Sequence, residues 1–338
     1  MTITIRDVAE RAEVSTATVS HVLNGTRYVS AETKSTVLEA VRALNYHPNA
    51  IARSLSIRKT YAIGMVASHT TSVFFSEMSR GVLDTIIPHN YRLLLCSTED
   101  DPALAEEYFE MLLGRMVDGL ITATVSQNRA TLKLLDTAQI AVVFVDLIFE
   151  SMNGPFVGVD NEGGMYEAVS HLIGNGHKRI GILAGPSGIS TMEERLAGYR
   201  RALRDHGIAV DERLVRFCQL NVEEGRALAV ELLREMPLPI ALVANDNNML
   251  LGILLALQQL GLKCPEDVAL IGFDEHPWAP VTTPAITVVR QPSYEIGRTA
   301  ANMLLKMLAG EPIAENYVRL KPELIVRESC RGPAPNSS

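Results

Sequence analysis

From Tyr61 onward the chain alternates short apolar runs with segments of helical period, and few folds accommodate that alternation. The apolar runs are Ala62–Val66, Arg92–Ser97, Gly119–Ala123, Ala141–Asp146, Arg179–Ala184, Ile240–Ala244 and Val268–Phe273. Between them, residues 76–87, 103–113, 163–173, 193–205, 223–233 and 248–260 carry apolar side chains at helical spacing. Strands joined through helices run parallel and need cover on both faces, so the pattern predicts an α/β fold. There are too many units for one sheet. We therefore expect two doubly wound subdomains, about 61–160 and 161–290, then a helix over 293–309 and late strands within 317–327. The final residues, 331–338, read as a disordered tail by composition.

The first 58 residues behave differently, because every periodic segment there reads as helix. Thr4 and Asp7 have the spacing of a capping box, which opens a helix burying Val8, Ala9 and Ala12. Glu13-Val14 makes a tight turn. Ser15 can then cap a second helix, Thr16–Leu23, which Asn24-Gly25 stops. That helix buries Val19, Val22 and Leu23 and leaves Thr16, Ala17, Ser20 and His21 together on its other face. A third helix, from Ser30 to about Leu44, buries Val37, Leu38, Val41 and Leu44. Two short helices on a tight turn form a helix-turn-helix, whose second helix enters the DNA major groove. The plain alternative is a three-helix packing unit with no DNA role.

Charge supports the first reading. The whole chain carries −8, yet residues 1–60 carry +3 and the remainder −11. A basic head on an acidic body suits a protein of which only the head meets phosphates. Apolar residues make up 47%, enough for sizeable cores. Four cysteines, Cys96, Cys218, Cys264 and Cys330, lie far apart without a CxxC pair, which suits a reducing compartment. The start lacks a basic region followed by an apolar stretch, and no apolar window is long enough to span a bilayer. We expect a cytoplasmic protein with no membrane contact. Catalysis fits poorly: no P-loop or HExxH occurs, Gly185-Pro-Ser-Gly-Ile189 is not a nucleophile elbow, and Gly174-Asn-Gly176 reads as a helix end. No metal site and no cofactor are expected.

With these elements placed, the run from Ile5 to Gly25, IRDVAERAEVSTATVSHVLNG, resembles the head of the lactose-repressor/galactose-repressor (LacI/GalR) family. So does Leu44–Leu55, LNYHPNAIARSL. The likeness continues through Val117–Leu120, Gly176–Gly181, Arg195–Tyr199, Asn245-Asp246, Ile271–Asp274 and Thr283–Thr287, and so covers nearly the whole chain. The head pattern is nearest to purine and ribose repressors. The resemblance implies a helix-turn-helix head over 1–48 and a hinge helix and linker over 49–60. It implies a periplasmic-binding-protein-like core, with one subdomain from 61–160 and about 293–320 and the other from 161–292 and about 321–330.

It also implies roles. Thr16, Ala17 and His21 occupy the family's base-reading positions, with Ser15, Thr18, Ser20 and Asn24 as candidates for positioning on phosphate. Ala17 can offer only a methyl contact to thymine. Leu55 matches the leucine that such repressors wedge into the minor groove. Without that motif it would be an ordinary linker leucine, since seven residues (50–56) cannot hold a helix alone. In the core, ligands of doubly wound sheets sit beyond strand carboxyl ends. Asp146, Asn245 and Asp274 lie there, Arg195 lies early in a helix, and the family's effector contacts map to Phe74, Phe75, Asp146, Arg195 and Asp274. Asn245 and Gln291 join them as further candidates. Each has a plainer reading: a strand-end Asp is usually a cap, Asp246 included, and the phenylalanines can be core. Purine-sensing members carry an arginine at the position of Ile189, so its absence favours a neutral ligand such as a sugar. Expected partners are operator DNA, a small polar effector and a second copy of the chain. The rival readings are a sugar-binding receptor with no DNA role and a regulator driven by a protein co-effector.

Overall fold

The computed structural model describes residues 3–25, 27–46, 59–114, 116–123, 135, 137, 140–149 and 152–332. The chain divides into two compact units, Met1–Thr60 and Tyr61–Ser338. In the first, helices α1 (Ile5–Arg11), α2 (Thr16–Asn24) and α3 (Ala31–Ala43) close around Val8, Ala9, Ala12, Val19, Val37 and Ala40. Local chemistry sets each boundary. The Asp7 carboxylate accepts from Thr4 N at 2.6 Å and from Thr4 Oγ1 at 2.8 Å. Ser15 Oγ accepts from Thr18 N at 3.1 Å, and Ser30 Oγ from Thr33 N at 3.2 Å. Gly25 ends α2 at φ 64°, a left-handed position that costs glycine nothing. Leu38 differs from expectation: it stays half-exposed, and Ala40 fills the core instead.

The second unit holds two six-stranded sheets. The first contains β1 (Ala62–Ala67), β2 (Arg92–Ser97), β3 (Gly119–Thr122), β4 (Ala141–Val145) and β5 (Phe156–Val159). The second contains β6 (Ile180–Ala184), β7 (Val215–Phe217), β8 (Ile240–Ala244), β9 (Val268–Phe273) and β10 (Thr287–Arg290). Each gains a late strand, β11 (Tyr317–Leu320) in the first and β12 (Glu323–Ile325) in the second. Their orders are β11-β5-β4-β3-β1-β2 and β12-β10-β9-β8-β6-β7, so every strand has a counterpart in the other sheet. All pairings are parallel except β10 with β12. β6, β8 and β9 are buried along their whole length, which is why they read as unbroken apolar runs.

The sheets are covered by α4 (Val73–Ile86), α5 (Pro102–Leu113), α6 (Asn161–Gly174), α7 (Ser190–Asp205), α8 (Val222–Glu235), α9 (Asn247–Leu260) and α10 (Ser293–Ala309). α10 belongs with the first sheet and lies against α4 so closely that a Cβ on Gly81 would stand 2.1 Å from Tyr294 O, and one on Gly297 2.0 Å from Met78 O. Only glycines permit that approach. The chain passes between the two lobes three times: at 159–161, at 290–293 and at 320–323.

Three strands escape the sequence reading: β5, β7 and β10, each of three or four residues and too short to show a period. Two helices begin three residues earlier than expected. Ser72 Oγ accepts from Phe75 N at 3.2 Å and draws Phe74 and Phe75 into the first turn of α4, while α7 starts at Ser190 rather than Glu193.

Candidate functional site

On the head, Ser15, Thr16 and Ala17 are exposed, and Thr18, Ser20, His21 and Asn24 half-exposed, along the outer side of α2. Ser15 Oγ and Thr18 Oγ1 lie 2.9 Å apart, and Asn24 Nδ2 donates to Ser20 Oγ at 3.2 Å. These short polar contacts hold the face in one arrangement and leave Thr16 and Ala17 outermost. Leu55 and most of the expected hinge segment lie outside the described residues.

In the body, Asp146 and Asp274 occupy equivalent places in the two lobes. Each follows a central strand, β4 or β9, and each takes a left-handed backbone, φ 66° and 77°. Asp146 N donates to Val157 O at 3.1 Å, and Asp274 N to Val289 O at 2.9 Å. Neither caps a helix. Asp is among the few residues that adopt this backbone at modest cost, and the turn lifts the carboxylate off the strand end. Asp246, by contrast, is a cap: its Oδ1 accepts from Met249 N at 2.8 Å at the start of α9.

Arg195, 2% exposed, is fixed on three sides. Nε donates to Asn161 Oδ1 at 2.8 Å, Nη1 donates to Asn245 O at 2.6 Å, and the guanidinium carbon lies 3.7 Å from the centre of the Phe273 ring. Gln291 Nε2 donates to Asp274 Oδ1 at 2.5 Å. Two buried amide oxygens, Asn245 Oδ1 and Gln291 Oε1, have no partner. An unpaired buried acceptor costs on the order of 1–3 kcal/mol, a penalty that a ligand bearing donors removes.

Electrostatics follow from burial. Loss of water pushes Asp146 up to about 7; Arg195 opposes the shift, and Asp274 and Glu194 reinforce it. Burial likewise raises Asp246 to about 6, against the hydrogen bond from Met249 N–H. Arg195 is lowered by burial and held up by Asp274, Asp146 and Asp246. One cation thus faces three aspartates, with Glu194 as a fourth carboxylate acting on it.

The remaining candidates divide. Phe74 is half-buried, whereas Phe75, 8% exposed, belongs to the core of the first lobe; their rings meet edge-on at 5.1 Å. Asn245 acts through its carbonyl on Arg195, and its Nδ2 donates to Met192 O at 3.3 Å. Trp278 lies against His276, ring centres 5.2 Å apart. Residues that the sequence reading did not single out are Asn161, which holds Arg195, and Ser190, whose Oγ accepts from Ile148 N of the opposite lobe at 2.9 Å. Asn161 follows a strand end, the same signal that exposed Asp146, but that strand was one of those too short to see. Among the described residues no group of His, Cys, Asp and Glu has the geometry to hold a metal ion. No helix among them is long and apolar enough to cross a membrane.

A helix-turn-helix joined to a two-lobed body with a polar cluster between its sheets defines a transcriptional regulator with a ligand-binding domain. Comparison with known proteins agrees. A model of bacterial regulatory proteins of the lacI family matches residues 4–49, and a periplasmic binding protein-like domain matches 169–330. The HTH-type transcriptional repressor PurR of Photobacterium profundum is 34% identical over 329 residues, covering 97% of this chain and 98% of the relative. That of Haemophilus influenzae is 35% identical over 332 residues, with the same coverage. A complex of the transcriptional regulator CelR with cellobiose superposes at a TM-score of 0.74 with 31% identity, covering 97% and 99% of the two chains. The lac repressor dimer bound to operator and the anti-inducer ONPF shares the fold at a TM-score of 0.87 and 24% identity, covering 98% and 100%. The chain belongs to the lacI family of bacterial regulatory proteins, a family of DNA-binding regulators and not of enzymes.

Proposed function

We propose that this regulator represses transcription from the cytoplasm by binding a pseudo-palindromic operator as a homodimer, and that an uncharged polyhydroxylated metabolite, a sugar or sugar derivative, in the cleft controls it. The cluster around Arg195 carries this reading. Asp146, Asp274, Asn245 Oδ1 and Gln291 Oε1 are all acceptors, so a ligand bearing several hydroxyl donors satisfies them. A phosphate or carboxylate ligand would add negative charge to a site where one arginine already faces three aspartates. Ile189, at the position where purine-sensing relatives place an arginine, supplies no second cation. That CelR is found with cellobiose supports a sugar; the PurR relatives favour a purine instead, and the test includes both.

The test begins with selection of operator duplexes from random DNA by the full chain. A two-fold related sequence should be enriched, and one of cellobiose, ribose, adenine or guanine, added at millimolar concentration, should change its occupancy. We expect a sugar to do so; release by a purine alone would overturn the ligand assignment. In the same assay His21→Ala should weaken the selected site by roughly 1–3 kcal/mol and relax one base pair per half-site, with scrambled DNA hardly affected. Equal losses on both DNAs would reduce His21 to a backbone contact.

The dimer is supported by apolar side chains that the second lobe leaves in solvent. Leu251 and Leu255, each 36% exposed, stand one turn apart on α9, and Val281 is 78% exposed. Such exposure suits a self-complementary two-fold interface. Changing Leu251 and Leu255 together to Asp should reduce the mass in solution from that of two chains to that of one. Operator affinity should fall by about a hundredfold or more, since one head reaches only a half-site. A double variant that remains dimeric would place the interface elsewhere.

A further inference from the structure

We propose that Glu194 and Arg319 are positioning residues for the effector site: their ion pair joins the two lobes and, through Asn161, sets the orientation of Arg195. The proposal rests on the assignment of Arg195 to the effector site. Glu194 belongs to α7 of the second lobe, Arg319 to β11 of the first, and the contact between them is bidentate. Arg319 Nη1 donates to Glu194 Oε2 at 2.8 Å and Nη2 to Oε1 at 2.6 Å. Both side chains are less than a third exposed, 24% and 28%, so water screens the pair little.

Glu194 has a second task. Its Oε2 also accepts from Asn161 Nδ2 at 3.2 Å, and Asn161 Oδ1 is the acceptor for Arg195 Nε. An amide turned by 180° would present nitrogen to Arg195, a donor facing a donor. The Glu194 carboxylate, which only accepts, therefore fixes which way the Asn161 amide points, together with the Val159 carbonyl, which accepts from the same Nδ2 at 3.3 Å. Arg319 in turn holds that carboxylate, and it reaches the same crossover directly, since Nη1 also donates to Val159 O at 2.9 Å. Its remaining contacts, Nε and Nη2 with Tyr317 Oη at 3.0 and 2.9 Å, keep the guanidinium in place, and the Tyr317 ring stacks on Phe156 at 5.0 Å.

The pair thereby fastens the crossover at 159–161, and the end of β11 that leads into the crossover at 320–323, to the helix that carries Arg195. The third crossover is tied as well, through Gln291 and Asp274. Any rotation of one lobe on the other must bend all three passages, and each bend pulls on a side chain of the ligand cluster. Ligand and hinge then share one set of hydrogen bonds, which supplies the differential contacts that a shift between open and closed forms requires.

The test reads Arg195 directly in the ligand-free full chain, so it does not depend on which effector binds. In 15N-labelled protein the Arg195 Nε–H resonance, assigned by its loss in Arg195→Lys, gives the exchange rate of the proton held by Asn161. Arg319→Met and Glu194→Gln should each speed that exchange at least tenfold, with Arg319→Lys in between. Amides of β1 and β8 should keep wild-type protection. Wild-type exchange at Arg195 in both variants would overturn the proposal. So would a uniform rise across both lobes, because the pair would then be a general stabiliser and nothing more. Failure of every sugar and purine to bind would refute the effector reading and leave this measurement standing.

Discussion

Arg195→Ala is expected to abolish the effector response and to destabilise the body by about 3–5 kcal/mol, the range seen when one member of a buried charged cluster is removed. Asp274, Asp146, Asp246 and Glu194 all act upon this arginine. Its loss leaves the three partly buried aspartates without that partner. It also strands Asn161 Oδ1 and Asn245 O, each now a buried acceptor without its donor, and exposes the Phe273 ring to a void. Urea unfolding of the full chain measures the stability term, and operator release by the active ligand measures the response. Arg195→Lys should rescue only part of either, because a single ammonium cannot donate to Asn161 and Asn245 while lying flat on Phe273. Because Arg195 opposes the rise of Asp146, the Arg195→Ala variant should keep Asp146 protonated to a higher pH than wild type. An Arg195→Ala protein with wild-type stability and a full ligand response would remove Arg195 from the site.

That cluster was only partly legible in the sequence, and the reasons are physical. Asp274 and Asn245 stand out because β8 and β9 are buried on both faces, so unbroken apolar runs lead straight to them. Asp146 stands out in the same way behind β4. Beyond the strand ends, legibility fails where the signal is not local. Asp246 and Asp274 look alike in sequence, each a polar residue after an apolar run, yet one caps α9 and the other takes a left-handed turn. The difference lies in the next few residues: a helix begins at once after Asp246, whereas Asp274 is succeeded by Glu275-His-Pro. Phe74 and Phe75 are adjacent and chemically identical, and only the start of α4 at Val73 decides that Phe75 faces the core. Glu194 and Arg319 stand 125 residues apart on different lobes, and no periodicity links them. The head was easier to read because a capping box, two serine caps and a terminal glycine each act within four residues.

Stability and ligand affinity should move in opposite directions as pH rises toward neutrality. Asp146 titrates at about 7 in the folded protein and near 3.8 when unfolded, because burial disfavours its charge more than Arg195 favours it. Between those values the native state holds a proton that the unfolded chain has released, so unfolding free energy falls as pH rises. The loss begins near pH 3.8 and is complete above about 7, amounting to at most about 4 kcal/mol at 1.36 kcal/mol per pH unit. Asp146→Asn, which cannot ionise, removes this term. The variant should match wild type at pH 4 and exceed it in urea unfolding at pH 8. Asp246, raised to about 6, adds a slope of the same sign, but it is present in both proteins and cancels in the comparison. A ligand whose hydroxyls donate to Asp146 has the opposite preference, since the ionised carboxylate is the better acceptor. Binding should therefore expel the proton, and affinity should rise about tenfold from pH 5 to pH 6 and level off above about 7. Calorimetry in two buffers of different ionisation enthalpy counts the proton: close to one released per site at pH 6, none at pH 8.5, and none at either pH in Asp146→Asn. Proton uptake on binding, or a stability gain in Asp146→Asn that is equal at pH 4 and pH 8, would mean that Asp146 is already ionised in the empty cleft. The site would then attract cations, and the neutral-sugar reading would give way to an amine.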